Sequence, residues 1–367
     1  MRNAESDIQS AKVHLFKAQT NCPYWHGVFG GLYLPHLRYA IYQHLIAAEN
    51  IIDQIEKKKW SFQHYDFDCD GAEELIFGNE MINIYIKPSS GGSVFELDYK
   101  PKCINIMNTM QRRKEAYHRR LKNASIQKTG EHQSIHNIVV SKENDIDKYL
   151  FYDWHARYSL LDHFFALDTK IENVYKCCYQ EYGDFINQPY QWEKIQKEEC
   201  LIIALFREAH LWQPDCPKKI SVKKIIKLNK DSSNVDITYQ ITNLHNARVK
   251  FNFGAEFNFS FLSGASADRY YKLNNGRIKL ENANLNNINS IQNVRNVSLI
   301  DEWFGIEVSI ESIDNFTLWT FPIETISNSE AGFERIYQNS AVIPKWEFSL
   351  NPNETKIIKL NYDIERL

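Results

Sequence analysis

Residues Phe251–Phe261 constrain the fold more than any other stretch of the chain. Phe251, Phe253, Ala255, Phe257, Phe259 and Phe261 occupy the odd positions. Asn252, Glu256, Asn258 and Ser260 lie between them. A period of two puts the first set on one side of a strand and the second on the other. The same alternation recurs at Val235, Ile237, Tyr239 and Ile241, and at Ile82, Ile84 and Ile86 before Pro88. It returns at Phe95, Leu97 and Tyr99 after a Ser89–Gly92 turn. Asp301–Ile310, Phe316–Phe321, Trp346–Leu350 and Lys356–Asn361 add further strands. Many strands with few helices between them predict a mainly β protein, an antiparallel sandwich.

The first residues follow a different period. Ile8, Ala11, Leu15 and Ala18 share one face of a helix expected over Asp7–Gln19. Leu34, Leu37, Ile41, Leu45, Ala48, Ile52 and Ile55 mark a second, longer helix, with Pro35 in its first turn. The period changes at Trp60, so residues 1–59 are expected as a helical segment and 60–367 as the sandwich. Lys122–Lys148 and the asparagine-rich Leu280–Ser298 are expected as loops.

A chain of 367 residues can bury a large core. A net charge of −3 gives no basic excess for nucleic acid or an anionic membrane. The longest apolar run, Leu201–Phe206, is far short of a membrane span. MRNAESDIQSAK carries no apolar signal-peptide core. Seven scattered cysteines without a CxxC pair argue for reduced thiols and a cytoplasmic protein, against a disulfide framework or a zinc site.

Four places carry candidate chemistry. Ala18–Arg38 reads AQTNCPYWHGVFGGLYLPHLR. Tyr24 and Trp25 offer flat faces on which a sugar ring stacks, and His26 adds a hydrogen-bonding edge. The alternative is a helix–loop–helix corner plugged by aromatics. Asp66, Asp68, Asp70 and Glu74 form DxDxDGxxxE, a spacing that converges hard oxygens on Ca²⁺. Phe77 stands where an EF-hand needs its last glutamate, so this is not an EF-hand; a polar hairpin turn is the alternative. Trp319–Gln338, WTFPIETISNSEAGFERIYQ, gathers Glu324, Glu330 and Glu334 as sugar-contacting candidates. Acid/base work on a glycosidic bond would need two of them about 5–9.5 Å apart. Otherwise they brace a loop. Glu256 and Asn258 bind sugar hydroxyls if their face lines a groove, and are solvated if it is the outer face. No GxSxG, phosphate-loop or HExxH signature occurs.

Several of these stretches resemble glycoside hydrolase family 57, the α-amylases and 4-α-glucanotransferases. The resemblance rests on Ala18–Arg38, GGSVFELDYKP (Gly91–Pro101), RRKEAYHRRL (Arg112–Leu121), FYDWHARYSLLDHFF (Phe151–Phe165), GDFINQPYQW (Gly183–Trp192) and Trp319–Gln338. It implies a two-helix remnant of the family's helical domain before a sandwich of galactose-mutarotase-like type. It implies an α-glucan or maltooligosaccharide as ligand, with Asn21, Tyr24, Trp25 and His26 walling the sugar site. The family's two catalytic carboxyl residues lie in a barrel expected upstream of Met1, so neither is carried over. Two readings follow: a glucan-handling module working with a separately encoded barrel, or a free-standing mutarotase-like enzyme. The second needs a histidine and a carboxylate converging in the sandwich.

Overall fold

The computed structural model describes residues 4–27, 30–121, 141–330 and 332–367. Helix α1 (Ala4–Ala18) leads through the aromatic loop into α2 (Pro35–Glu56). Lys57 ends α2 in a left-handed conformation, and the Lys58 N–H closes back on Asp53 O at 2.9 Å.

Strands β1 (Trp60–Tyr65), β2 (Glu74–Asn79), β3 (Ile82–Lys87), β4 (Ser93–Tyr99) and β5 (Ile104–Asn105) pair in chain order as a five-stranded sheet. Helix α2 lies on it through polar contacts. Asn83 donates to Glu49 at 2.9 Å, Lys100 reaches Asp53 at 2.6 Å, and Asn50 donates to Lys100 O at 3.0 Å.

The remaining elements are β6 (Leu161–Phe165), α3 (Ile171–Tyr175), β7 (Gln191–Gln196), β8 (Cys200–Trp212), β9 (Pro217–Asn229) and β10 (Val235–Asn243). After them come β11 (Val249–Phe259), β12 (Arg269–Leu273), β13 (Asn289–Asp301), β14 (Ile306–Ser329), β15 (Gly332–Leu350) and β16 (Thr355–Arg366). They pair antiparallel in the order β6-β11-β15-β14-β16-β10-β9-β8-β7, with β13 also on β14 and β12 on β13. Tyr239 of β10 and Phe253 of β11 are separated by three intervening strands, yet their rings lie 5.2 Å apart. The long sheet therefore closes over itself as a sandwich. The core is continuous from Phe251, Phe253 and Phe257 through Ile220, Val222 and Ile226 of β9 to Leu75, Phe77 and Ile84 of the small sheet.

One buried cation crosses the joint. Lys224 on β9 has no exposed surface. It donates to Gly91 O at 2.6 Å and Leu160 O at 2.8 Å, and it lies 3.1 Å from Asp162. Gly91 must be glycine: its φ is +71°, and a Cβ would stand 2.2 Å from Ile186 O.

The predicted alternation holds, but three expectations fail. Asp301–Ile310, expected as one strand, contains the turn between β13 and β14, closed by the Gly305 N–H on Asp301 O at 2.8 Å. Asn289–Asp301 of the asparagine-rich segment is strand, because the ladder with β14 satisfies its backbone and Val294, Val297 and Leu299 are buried. The polar side of β11 is neither a groove nor an outer surface. Asn252, Glu256 and Asn258 are all buried, beneath residues 153–163. Of Lys122–Lys148, positions 122–140 lie outside the described residues, and Ile146–Tyr149 forms a 3₁₀ turn.

Candidate functional site

The aromatic corner is built on a pinned backbone. Cys22–Tyr24 makes one 3₁₀ turn with Pro23 buried beneath it. Tyr24 donates its hydroxyl to Ala18 O at 2.7 Å. Trp25 is extended, and its carbonyl accepts the Leu32 N–H at 2.9 Å. Gly31 permits this approach, since a Cβ there would sit 2.2 Å from Trp25 O. His26 packs its ring 5.1 Å from both Tyr33 and Tyr117, with Nδ1 3.2 Å from Gly30 O. Tyr33 is buried and donates to Glu115, while Gln338 of β15 donates to Tyr33 O at 2.9 Å. A fixed backbone thus carries rings that face outward: Tyr24 is 59% and Trp25 53% exposed. Asn21 is exposed beside them, and its side chain makes no capping bond.

The three glutamates of the β14–β15 hairpin do not converge. Glu334 stands opposite Ser327, three positions along β14 from Glu324. An odd offset sends the two side chains to opposite faces. Glu324 is paired with Arg335 at 3.1 Å; burial raises its pKa and Arg335 works against that rise. Glu334 pairs with Lys142, and Glu330 is exposed near the hairpin tip. Glu324 and Glu334 are thus each held by an ion pair.

The carboxylate loop does converge, around a partner that spacing did not reveal. Asp66, Asp68 and Glu74 place oxygens within 4.8 Å of one another. Asp66 accepts the N–H groups of Asp70 and Gly71 at 3.0 and 3.1 Å, and Glu74 accepts that of Phe67 at 2.9 Å. Lys87 Nζ enters from β3, bonded to Asp68, 2.7 Å from Asp70 and 3.1 Å from Glu74. Burial alone would lower its pKa, but the three carboxylates outweigh that and hold it above the ordinary lysine value. The Lys87 ammonium shares the carboxylates on which calcium was expected.

A buried polar cluster gathers round Glu256, and spacing pointed to none of its charged partners. Arg157 donates to Glu256 Oε1 at 2.9 Å and to Asp153 Oδ1 at 2.6 Å. Arg112 holds the same Asp153 through its side chain, at 2.6 Å, and through its backbone N–H, at 2.7 Å. His163 Nε2 lies 2.8 Å from Glu256 Oε2, and its Nδ1 lies 2.9 Å from Glu181. Burial opposes charge on Glu256, yet Arg157 and the imidazoles keep its pKa well below the usual carboxylate range. Burial likewise opposes charge on His163, but Glu181 and Glu256 bring it up to about 9. The available signal was Asp153, His155 and Arg157 set among the aromatics of FYDWHARYSLLDHFF. A charged residue inside an apolar run needs buried partners. A histidine and a carboxylate therefore do meet, but His163 and Glu256 have no exposed side-chain surface on which to receive a sugar.

Antiparallel strands closing over themselves define a galactose-mutarotase-like sandwich. The crystal structure of such a protein from Clostridium acetobutylicum superposes with a TM-score of 0.53 at 13% identity, over 84% of this chain and all of that one. The family is narrower: the chain belongs to the α-amylase/4-α-glucanotransferases of glycoside hydrolase family 57. The family's C-terminal domain matches residues 66–360 and its middle domain residues 1–52. Alpha-amylase 1 of Dictyoglomus thermophilum is 37% identical over 95% of this chain and 48% of its own length. The 4-alpha-glucanotransferase of Thermococcus litoralis is 32% identical over 91% of this chain and 46% of its own. That enzyme's crystal structure gives a TM-score of 0.76, covering 99% of this chain and 49% of the other. The chain spans about half the length of the curated relatives it matches.

Proposed function

We propose that this chain is the α-glucan-handling half of a family 57 amylase or glucanotransferase. Its aromatic corner borders the sugar where a catalytic barrel packs against it. The observation that carries this is the pairing of rigid backbone with exposed rings at Tyr24 and Trp25. Exposed aromatics on an ordered loop mark interaction surfaces, and their flat faces suit pyranose rings. Val13 and Phe16, three apart on α1 and so on one face of it, are exposed and add apolar surface for the barrel. The relatives' names, alpha-amylase and 4-alpha-glucanotransferase, support an α-glucan as the substrate class, and their greater length supports a further domain as the partner.

Calorimetric titration with maltooligosaccharide tests the sugar half of this reading. Trp25→Ala is expected to weaken binding about tenfold, the loss of one stacking contact of roughly 1.4 kcal/mol. The melting temperature should stay unchanged, because the ring fills no core. Equal affinity in the wild type and the variant would remove the corner from the glucan site.

A further inference from the structure

We propose that His155, His163 and Glu256 form a buried site for a divalent transition-metal ion, with Zn²⁺ the natural occupant. One donor atom from each lies within 4.8 Å of the others, and all three residues are buried. His155 Nε2 is 3.6 Å from Glu256 Oε2, and His163 Nε2 is 2.8 Å from the same oxygen. Bonds of about 2.0–2.1 Å at tetrahedral angles place ligand atoms roughly 3.3 Å apart, between these two separations.

Two further observations point to a ligand. His155 has no exposed side-chain surface, and neither of its ring nitrogens makes a hydrogen bond. A buried polar ring whose nearest partner stands 3.6 Å away is costly, and a metal bond would satisfy it. The surrounding groups are also divided as outer ligands of a metal site would be. Glu256 Oε1 is taken by Arg157 at 2.9 Å and Asn258 at 2.6 Å, which leaves Oε2 to the imidazoles. His163 Nδ1 faces Glu181 at 2.9 Å and Tyr179 at 3.3 Å, which fixes the ring with Nε2 inward. A carboxylate behind a ligating imidazole is the usual support of such a ring. Arg157 is the opposing charge. Against it and Arg112 stand Asp153, Glu181 and Glu256; binding a metal displaces the proton from His163, and the remaining fixed charge is then negative by one and suits a dication. Two nitrogens and one oxygen suit zinc over magnesium or calcium, which prefer oxygen alone. The ion would tie residues 153–157 to β6 and β11 from behind the polar side of β11.

Metal content of the 367-residue chain, purified without chelator, tests this. About one zinc per chain is expected, and Zn²⁺ added to stripped protein should raise the melting temperature by roughly 3–5 °C. Cobalt substitution should give the visible absorption of a low-symmetry nitrogen–oxygen site. His155→Phe is the informative variant. His155 makes no hydrogen bond, so the ring swap should fold and should lose both the zinc and the Zn²⁺-dependent shift. Glu256→Gln should lose them as well, but that variant also disturbs Arg157. No retained metal with no Zn²⁺ response would overturn the site. Full zinc content in folded His155→Phe would overturn it equally, by placing the metal elsewhere.

Discussion

Lys87 closes the loop that carries Asp66, Asp68, Asp70 and Glu74, and it does so from a different strand. Its side chain is 9% exposed and that of Glu74 is fully buried. With the ammonium in place, thermal scans of the wild type in Ca²⁺ and in chelator should coincide. Lys87→Met would leave the carboxylates facing one another. It should cost about 1–3 kcal/mol, and added Ca²⁺ should then recover part of the loss. A Ca²⁺-dependent rise in the wild type would return the loop to cation binding. The clustering of the carboxylates was legible, because short spacing in a glycine turn forces them together. The cation was not, because Lys87 arrives by the pairing of β2 with β3, which local spacing does not encode. The burial of His163 and Glu256 was hidden for the same reason: the two residues lie on separate strands, β6 and β11, whose pairing makes them neighbours.

At the scale of elements, the contact between α2 and β4 gathers acids. Glu49 on α2 and Glu96 and Asp98 on β4 are all shifted upward, chiefly by burial; the charge of Glu49 adds to the rise of both β4 acids, and that of Glu96 to the rise of Asp98. Glu96 reaches about 8. The folded chain therefore keeps a proton on Glu96 that the unfolded chain releases near pH 4.5. Stability should fall as pH rises from about 5 to 8, by about 1–3 kcal/mol, and the fall should be complete only above the folded value. Urea midpoints at about pH 5, 6.5 and 8 measure it, and Glu96→Gln should flatten the slope. A variant as pH-sensitive as the wild type would assign the slope to other groups. The helices and the alternation of β11 were readable because each follows one period over many residues. What covers the polar side of β11 was not readable, because a strand's pattern separates its faces without saying what packs on each.

For the whole molecule, the described carboxylates that the sequence singled out in the sandwich do not form a glycosidase pair. Retaining chemistry on an α-1,4 bond needs two carboxyl groups about 5–5.5 Å apart, one ionised and one protonated. Glu324 and Glu334 point to opposite faces, and Glu256 is sealed beneath Arg157 and two histidines. Maltooligosaccharides incubated with this chain alone should keep their size distribution. Addition of a separately expressed family 57 barrel should start turnover. Turnover by the chain alone that vanishes in Glu324→Gln would reverse this expectation. The class of fold was legible from strand count and alternation. Its closure was not, since Tyr239 and Phe253 meet only after the long sheet curls.

Lys224 bears on how such a chain descends. Its ammonium is satisfied by carbonyls from positions 91 and 160 and by Asp162. A recombination breakpoint between those stretches and β9 would join a buried cation to foreign partners, and the hybrid would carry an unanswered charge. A hybrid that exchanges the small sheet must therefore return a carbonyl to Lys224 at the position of Gly91.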